Sequence, residues 1–290
     1  MECEGRVKFT KMHALGNNYI YVNCFEEALD ENRLPDIAKE VSRVTTGIGS
    51  DGMILICPST VADFKMRVFN NDGSEAKNCG NGLRCVARYV YDRGLTQRTQ
   101  FSIETLGGIV QAQINVTGEH VSSITIDMGV PGLKKKDVPV QGDPESETIH
   151  EILRFKDSEY AVTALSMGNP HAVIFTEDVL AIDVAKEGKE IEWSPLFPER
   201  VNVEFIQVVN PNEIIFRVWE RGSGITQACG TGACAAVVAG ILNGKLQRDQ
   251  PVTVHLLGGD LEITWSNDGR VWMTGPAEFI ADGVFYLKES

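Results

Sequence analysis

Cys79-Gly80-Asn81-Gly82-Leu83-Arg84-Cys85 and Cys229-Gly230-Thr231-Gly232-Ala233-Cys234 are two settings of one motif, 150 residues apart in a chain of 290. Each leads into a segment that reads as a helix. After the first, Leu83, Val86, Ala87 and Val90 recur at i, i+3, i+4 and i+7, and Gly94 supplies a stop. After the second, residues 233–242 are apolar almost all round and end near Gly244, the pattern of a buried helix. The motif therefore sits at the start of a helix in each half of the chain.

Working outward, the halves repeat in order. Met12-His13-Ala14-Leu15-Gly16-Asn17 is echoed by Met167-Gly168-Asn169, and Leu106-Gly107-Gly108 by Leu257-Gly258-Gly259. Asn70 lies nine residues before Cys79, and Glu220 nine before Cys229. One long repeat of this kind is a duplication; solenoid periods are roughly 20–50 residues. Short alternating or β-branched runs dominate elsewhere. Strands are expected at 7–12, 19–23, 53–57, 64–70, 101–104, 109–116 and 121–128 in the first half. The second half offers 160–166, 172–175, 203–209, 213–219, 252–257, 261–265, 271–274 and 284–287. Two amphipathic helices are expected at 35–44 and 183–191, the second with Asp183 as N-cap. Residues 134–151, charged and holding Pro139 and Pro144, read as an exposed loop near the domain boundary. The fold class is α+β: two pseudo-symmetric domains, each a curved, mostly antiparallel sheet around a central helix. The expected domains are 1–128, completed by 277–290, and 129–276, with the active site in the cleft between them.

Composition narrows the function. The length suits two domains, and 43% hydrophobic residues is enough for each to bury a core. The net charge is −13, from 27 basic and 40 acidic residues. The longest basic run is Lys134–Lys135–Lys136, too little for a nucleic-acid groove. No run reaches the ~18 apolar residues of a membrane helix, and the first residues lack an apolar signal-peptide core. A cytoplasmic protein is expected, with its seven cysteines as free thiols. The spacings Cys79/Cys85 and Cys229/Cys234 are not C-x-x-C, which argues against structural zinc. Cys3, Cys24, Cys57, Cys85 and Cys234 read as small, inert packing residues.

Cys79 and Cys229 read differently. A helix start leaves backbone N–H groups unpaired and carries partial positive charge, and glycines let a ligand approach them. Such a site suits a carboxylate. The helix alone contributes roughly 0.3–1 kcal/mol toward a thiolate, so activation needs a neighbouring base or cation. His171, in Gly168-Asn169-Pro170-His171, and Glu220 are the candidates. Asp72-Gly73-Ser74 and Ser50-Asp51-Gly52 read as turns.

With these residues in view, the chain resembles the diaminopimelate epimerases over essentially its whole length. The matching stretches are 11–17, 69–75, 79–85, Gly168-Asn169-Pro170-His171, Arg200-Val201-Asn202, Glu220-Arg221-Gly222-Ser223-Gly224 and 228–234. The resemblance implies a cofactor-independent, metal-free epimerase that interconverts LL- and meso-diaminopimelate in lysine and cell-wall precursor biosynthesis. It implies that Cys229 and Cys79 act as thiolate and thiol on opposite faces of one carbon, with roles that swap with direction. His171 would tune Cys79, and Glu220 would tune Cys229. Gly80, Asn81, Gly230 and Thr231 would hold the reacting α-carboxylate. Asn17, Asn70, Asn169, Asn202, Glu220 and Arg221 would read the rest of the substrate. A homodimer is implied by the family alone. The chain departs from many members at Asn18, Asn71 and Ile225, and at Gly52, where some carry a substrate-contacting Gln.

Three competing readings remain at this point. A relative of the proline racemases shares paired cysteines but carries Cys-Gly-His where this chain has Cys79-Gly80-Asn81; isomerases of the phenazine pathway lack the pair. A thiol redox protein would cycle Cys79 and Cys229 through a disulfide. A non-catalytic amino-acid-binding module would bind without exchanging the α-hydrogen.

Overall fold

The computed structural model describes residues 5–288. Two compact units are present: one runs to Ile126 and takes back the chain from Gly275, and the other is Asp127–Thr274. Cys3 lies outside the described residues.

In the first unit, the strand Glu278–Tyr286 pairs antiparallel with Arg6–Ala14, which pairs antiparallel with Asn17–Asn23. Asn17–Asn23 then runs parallel to Gly52–Cys57, which is antiparallel to Phe64–Asn70. Phe64–Asn70 is parallel to Gln100–Thr105, and two hairpins continue through Gly108–Thr117 to His120–Asp127. The second unit repeats this alternation. Thr148–Arg154, Glu159–Ser166 and Pro170–Phe175 are successively antiparallel. Pro170–Phe175 is parallel to Asn202–Asn210, which is antiparallel to Glu213–Glu220. Glu213–Glu220 is parallel to Val252–Leu256, and Gly259–Trp265 and Val271–Gly275 follow antiparallel.

A parallel pair cannot be joined by a hairpin, so each unit needs two crossovers, and each crossover carries a helix. The four are α1 (Leu34–Ser42), α2 (Gly80–Asp92), α3 (Val184–Glu192) and α4 (Gly230–Leu242). The helices α2 and α4 follow the two cysteine motifs, as the periodicity predicts. The α4 helix packs against strands Glu159–Ser166, Pro170–Phe175, Asn202–Asn210, Glu213–Glu220 and Gly259–Trp265. Residues 232–240 of α4 are buried without interruption, which explains its apolar circumference. The α2 helix is buried from Asn81 to Ala87 and packs against Arg6–Ala14, Phe64–Asn70 and Gly108–Thr117. Gly94 (φ +73°) and Gly244 (φ +67°) take the left-handed backbone just beyond the helix ends, as expected of stops. Asp183 caps α3 by accepting from the Lys186 N–H at 3.1 Å.

Several local expectations are corrected. Residues 134–151 are not an exposed loop. Val138 and Val140 are buried in the core of the second unit, Lys135 is buried and pairs with Glu151 at 3.0 Å, and a strand begins at Thr148. Two apolar residues in a charged stretch carry no periodicity, yet they anchor it. The first amphipathic helix stops at Ser42, leaving Val44 exposed, because Arg43 turns to extended backbone. The strand expected at 172–175 starts earlier, at Pro170, so His171 lies on a strand. Proline is tolerated as the first residue of a strand, which moves the boundary.

Gly52 is required by close approach. A Cβ there would sit 2.1 Å from the Phe69 carbonyl oxygen and 2.8 Å from Cε1 of Tyr19. A glutamine cannot occupy this position here without moving backbone. We expect Gly52→Ala to lose about 2 kcal/mol or more of stability in urea unfolding. A loss below about 0.5 kcal/mol would mean that the two strands part easily.

Candidate active site

Cys79 occupies the N-cap of α2, with extended backbone (φ −151°, ψ 104°). Its sulfur accepts the Gly82 N–H at 3.3 Å, one of the unpaired donors of the helix start. It also lies 3.8 Å from Asn17 Oδ1. Asn17 is fixed in turn by Asp51, whose Oδ2 accepts from Asn17 Nδ2 and from the Asn18 backbone N–H, both at 2.8 Å. Asp51, read from sequence as turn chemistry, therefore orients a candidate substrate-binding side chain. Tyr19 adds to this cluster: burial pushes its phenol up, and Cys79 and Asp51 push the same way. Asn81 is buried and spends its Oδ1 on Arg84 Nη2 at 2.8 Å, while Arg84, fully buried, also donates to the Pro276 carbonyl. The Asn81 side chain is thus committed inside the unit, leaving the backbone at Gly80 and Asn81 as the part of this helix start suited to an anion. Asn70 Nδ2 donates to Ser74 Oγ at 3.0 Å.

Cys229 is the N-cap of α4 (φ −115°, ψ 103°). Its sulfur lies 3.6 Å from Thr231 Oγ1. Burial holds this thiol well above its ordinary value, the charge of Glu220 pushes it further up, as an ionised Glu204 would, and the Thr231 hydroxyl opposes them. Glu220 is also held above the usual carboxylate range, chiefly by burial, against hydrogen bonds from the Thr226 hydroxyl and Cys229. Glu220 and Cys229 are therefore brought together within one unit. Buried titratable groups that perturb one another are the arrangement from which general acids and bases are made.

His171 is fully buried on the strand Pro170–Phe175. Nδ1 lies 2.7 Å from Glu204 Oε1 and Nε2 lies 3.0 Å from Asn169 Oδ1. Asn169 Nδ2 donates to Thr231 Oγ1 at 3.3 Å. Asn202 stands opposite His171 across the parallel pair; its Nδ2 donates to the Pro170 carbonyl and its Oδ1 accepts the Arg221 N–H at 2.8 Å. Arg221 is exposed, with Nη1 donating to the Glu199 carbonyl at 3.0 Å.

The structure groups the expected residues into two clusters. Cys79, Gly80, Asn81, Asn17 and Asn70 lie in the first unit, and Cys229, Gly230, Thr231, Asn169, His171, Asn202, Glu220 and Arg221 in the second. Sequence reasoning missed Glu204, Glu192, Asp51 and Tyr19. Glu192, at the end of α3 and 2% exposed, accepts from Trp219 Nε1 and the Gly222 N–H, and so grips the turn carrying Glu220 and Arg221 from both sides. The signal for Glu204 was present: it is the one acid in the apolar run Val203–Glu204–Phe205–Ile206.

Of the other thiols, burial pushes Cys85 up to about 12, as a packing residue should be. Cys24 and Cys57 differ: they follow the last register pair of two parallel strands, Asn23 and Ile56, and each thiol perturbs the other. Among the described residues no group of three or more His, Cys, Asp or Glu side chains is disposed to hold a metal ion. No described helix is long and apolar enough to cross a membrane.

A model of the diaminopimelate epimerase family matches residues 9–134 and 163–280. The diaminopimelate epimerase of Bacillus licheniformis is 60% identical over 281 residues, covering 97% of this chain and 99% of its own. That of Bacillus cytotoxicus is 58% identical over 280 residues, 97% of each chain. Among solved structures, a hydroxyproline epimerase from Agrobacterium vitis superposes with a TM-score of 0.70 at 14% identity, covering 100% of this chain and 95% of the other. A phenazine biosynthesis protein of the PhzF family from Bacillus anthracis does so with a TM-score of 0.68 at 17% identity, covering 97% and 99%. At those identities the two structures establish the shared fold alone.

The raised Cys229 gives a directional expectation. In the free protein Cys229 is alkylated slowly by iodoacetamide at neutral pH, and the rate climbs with pH. Glu220→Gln removes a negative neighbour and speeds alkylation at fixed pH; an unchanged or slower rate would show that Glu220 does not act on this thiol.

Proposed function

The chain belongs to the diaminopimelate epimerase family, and we propose that it inverts one α-carbon of diaminopimelate by thiol chemistry alone, interconverting the LL and meso forms for lysine and cell-wall precursor biosynthesis. The activity is that of an isomerase. The identity to relatives of that name over nearly the full chain sets aside the proline-racemase-like, redox and binding-only readings. The observation that carries the mechanism is the occupation of both central-helix N-caps by cysteine.

Inversion without turning the substrate over needs a base on one face of the carbon and an acid on the other. Cys79 and Cys229 take these parts, one as thiolate and one as thiol, and exchange them when the reaction runs backward. The α-proton of an amino acid is very weakly acidic, so the barrier lies in the negative charge that develops as the proton leaves. That charge spreads onto the α-carboxylate. Backbone N–H groups at Gly80, Asn81, Gly230 and Thr231 stabilise it as an oxyanion hole would, where each such donor is worth roughly 10²–10³ in rate. His171 and Glu220 adjust the two thiols, and Asn17, Asn70, Asn169, Asn202 and Arg221 read the distal end. Arg221 can pair bidentately with a second carboxylate. The reading needs no pyridoxal phosphate and no metal, and it carries the family expectations of a cytoplasmic enzyme and a homodimer.

We expect Cys79→Ala and Cys229→Ala each to lower epimerisation by roughly 10²–10⁴ or more while circular dichroism stays native. Near-full activity in either variant would defeat the two-thiol assignment. Dialysis against a chelator is expected to leave activity unchanged; loss with recovery on adding metal would defeat the metal-free mechanism.

A further inference from the structure

Glu204 stands on the strand Asn202–Asn210, two residues from Asn202, with no exposed surface. It faces His171 from the parallel neighbour, Glu220 from the antiparallel neighbour, and Cys229 at the start of α4. Its Oε1 lies 2.7 Å from His171 Nδ1, whereas the buried Oε2 has no partner. The carboxyl comes this close to the helix start only because residue 232 is glycine. A Cβ there would lie 2.9 Å from Glu204 Oε1 and 3.1 Å from Cys229 Sγ.

Donors and acceptors can be counted along the contacts. Asn169 gives its amide N–H to Thr231 Oγ1 at 3.3 Å, so its Oδ1 faces His171 Nε2 at 3.0 Å. Two acceptors cannot share a hydrogen bond, so Nε2 carries the hydrogen. In a neutral ring Nδ1 is then an acceptor and Glu204 Oε1 the donor; a charged ring would instead donate to a Glu204 carboxylate whose second oxygen stays buried without a partner. At the other end, Thr231 Oγ1 accepts from Asn169 and keeps its own hydrogen free to turn to the Cys229 sulfur, 3.6 Å away.

We propose that Glu204 is a positioning residue that works as a neutral carboxylic acid, its proton directing a hydrogen-bond chain through His171, Asn169 and Thr231 onto the Cys229 sulfur. This rests on the reading of Cys229 as a proton-transfer group. A carboxylate with one oxygen buried and unpaired, beside Glu220, would be costly; an acid leaves only a carbonyl oxygen unpaired. Burial also holds Glu204 above the usual carboxylate range, with His171 opposing. The consequence for Cys229 is twofold. An ionised Glu204 would oppose the thiolate, whereas the acid form removes that charge and turns the Thr231 hydroxyl toward sulfur. The thiol is thereby kept within reach of ionisation despite its burial.

Two near-isosteric variants separate acid from carboxylate. Glutamine can donate to Nδ1 as the acid does; methionine cannot. In Glu204→Gln, the pH profile of Cys229 alkylation, read by peptide mass spectrometry, is expected to match wild type. In Glu204→Met, alkylation is expected to slow about tenfold at a given pH. A Gln variant as impaired as the Met variant would overturn the proposal, as would a folded Met variant with an unchanged profile. Should the Met variant not fold, infrared spectroscopy of the wild type decides. A carbonyl stretch from a buried neutral carboxyl that vanishes in Glu204→Gln supports the proposal, and its absence overturns it. Failure of the wild type to exchange the α-proton of diaminopimelate would defeat the function reading, while the infrared band and alkylation profile would still judge Glu204.

Discussion

A parallel strand pair must be closed by a crossover, and in each unit one crossover helix is swallowed by the sheet it joins. That helix begins inside the unit with backbone N–H groups that secondary structure cannot satisfy. Something must cap it. In α2 the cap is a sulfur, which accepts the Gly82 N–H, and in α4 Cys229 holds the same N-cap position. The rest of the site follows from this: small residues after the cysteine for close approach, a field that favours anions, and a thiol held where a proton can be moved.

Both N-cap positions hold a cysteine, but the two are surrounded differently. Around Cys79 the neighbours are neutral or fixed by Asp51, and the thiol is half-buried. Around Cys229 two carboxyl groups and an imidazole are buried together, and the thiol is raised. A duplicated fold supplies two equivalent positions; substitutions such as Asn70 against Glu220 make them unequal. An asymmetric substrate, with one reacting end and one end to be read, calls for such inequality. Glu192 contributes by holding both sides of the Glu220–Arg221 turn through Trp219 and Gly222.

Much of this was legible in the residues. The buried helices announced themselves through apolar periodicity and glycine stops, and the motif order exposed the duplication. What stayed hidden depended on contacts distant in sequence. Glu204 lies 33 residues from His171, and the two meet only because their strands run parallel. Asp51 looks like any turn aspartate until the sheet brings Asn17 to it, 34 residues away. Val138 and Val140 are two apolar residues among charges, and only the docked core gives them a role. The strand Thr148–Arg154 was missed for a related reason: four of its seven residues are polar or charged, and only Thr148 and Leu153 are buried.

The central claim is that one carbon is inverted by exchange of protons with two thiols. It is tested most directly by incubating the reduced, purified protein with LL-diaminopimelate in D₂O, without added cofactor, and following product and isotope together. The account predicts meso product carrying one α-deuterium at the inverted carbon. Meso product that retains the original α-hydrogen, or no product and no deuterium from folded protein with titratable thiols, would contradict it.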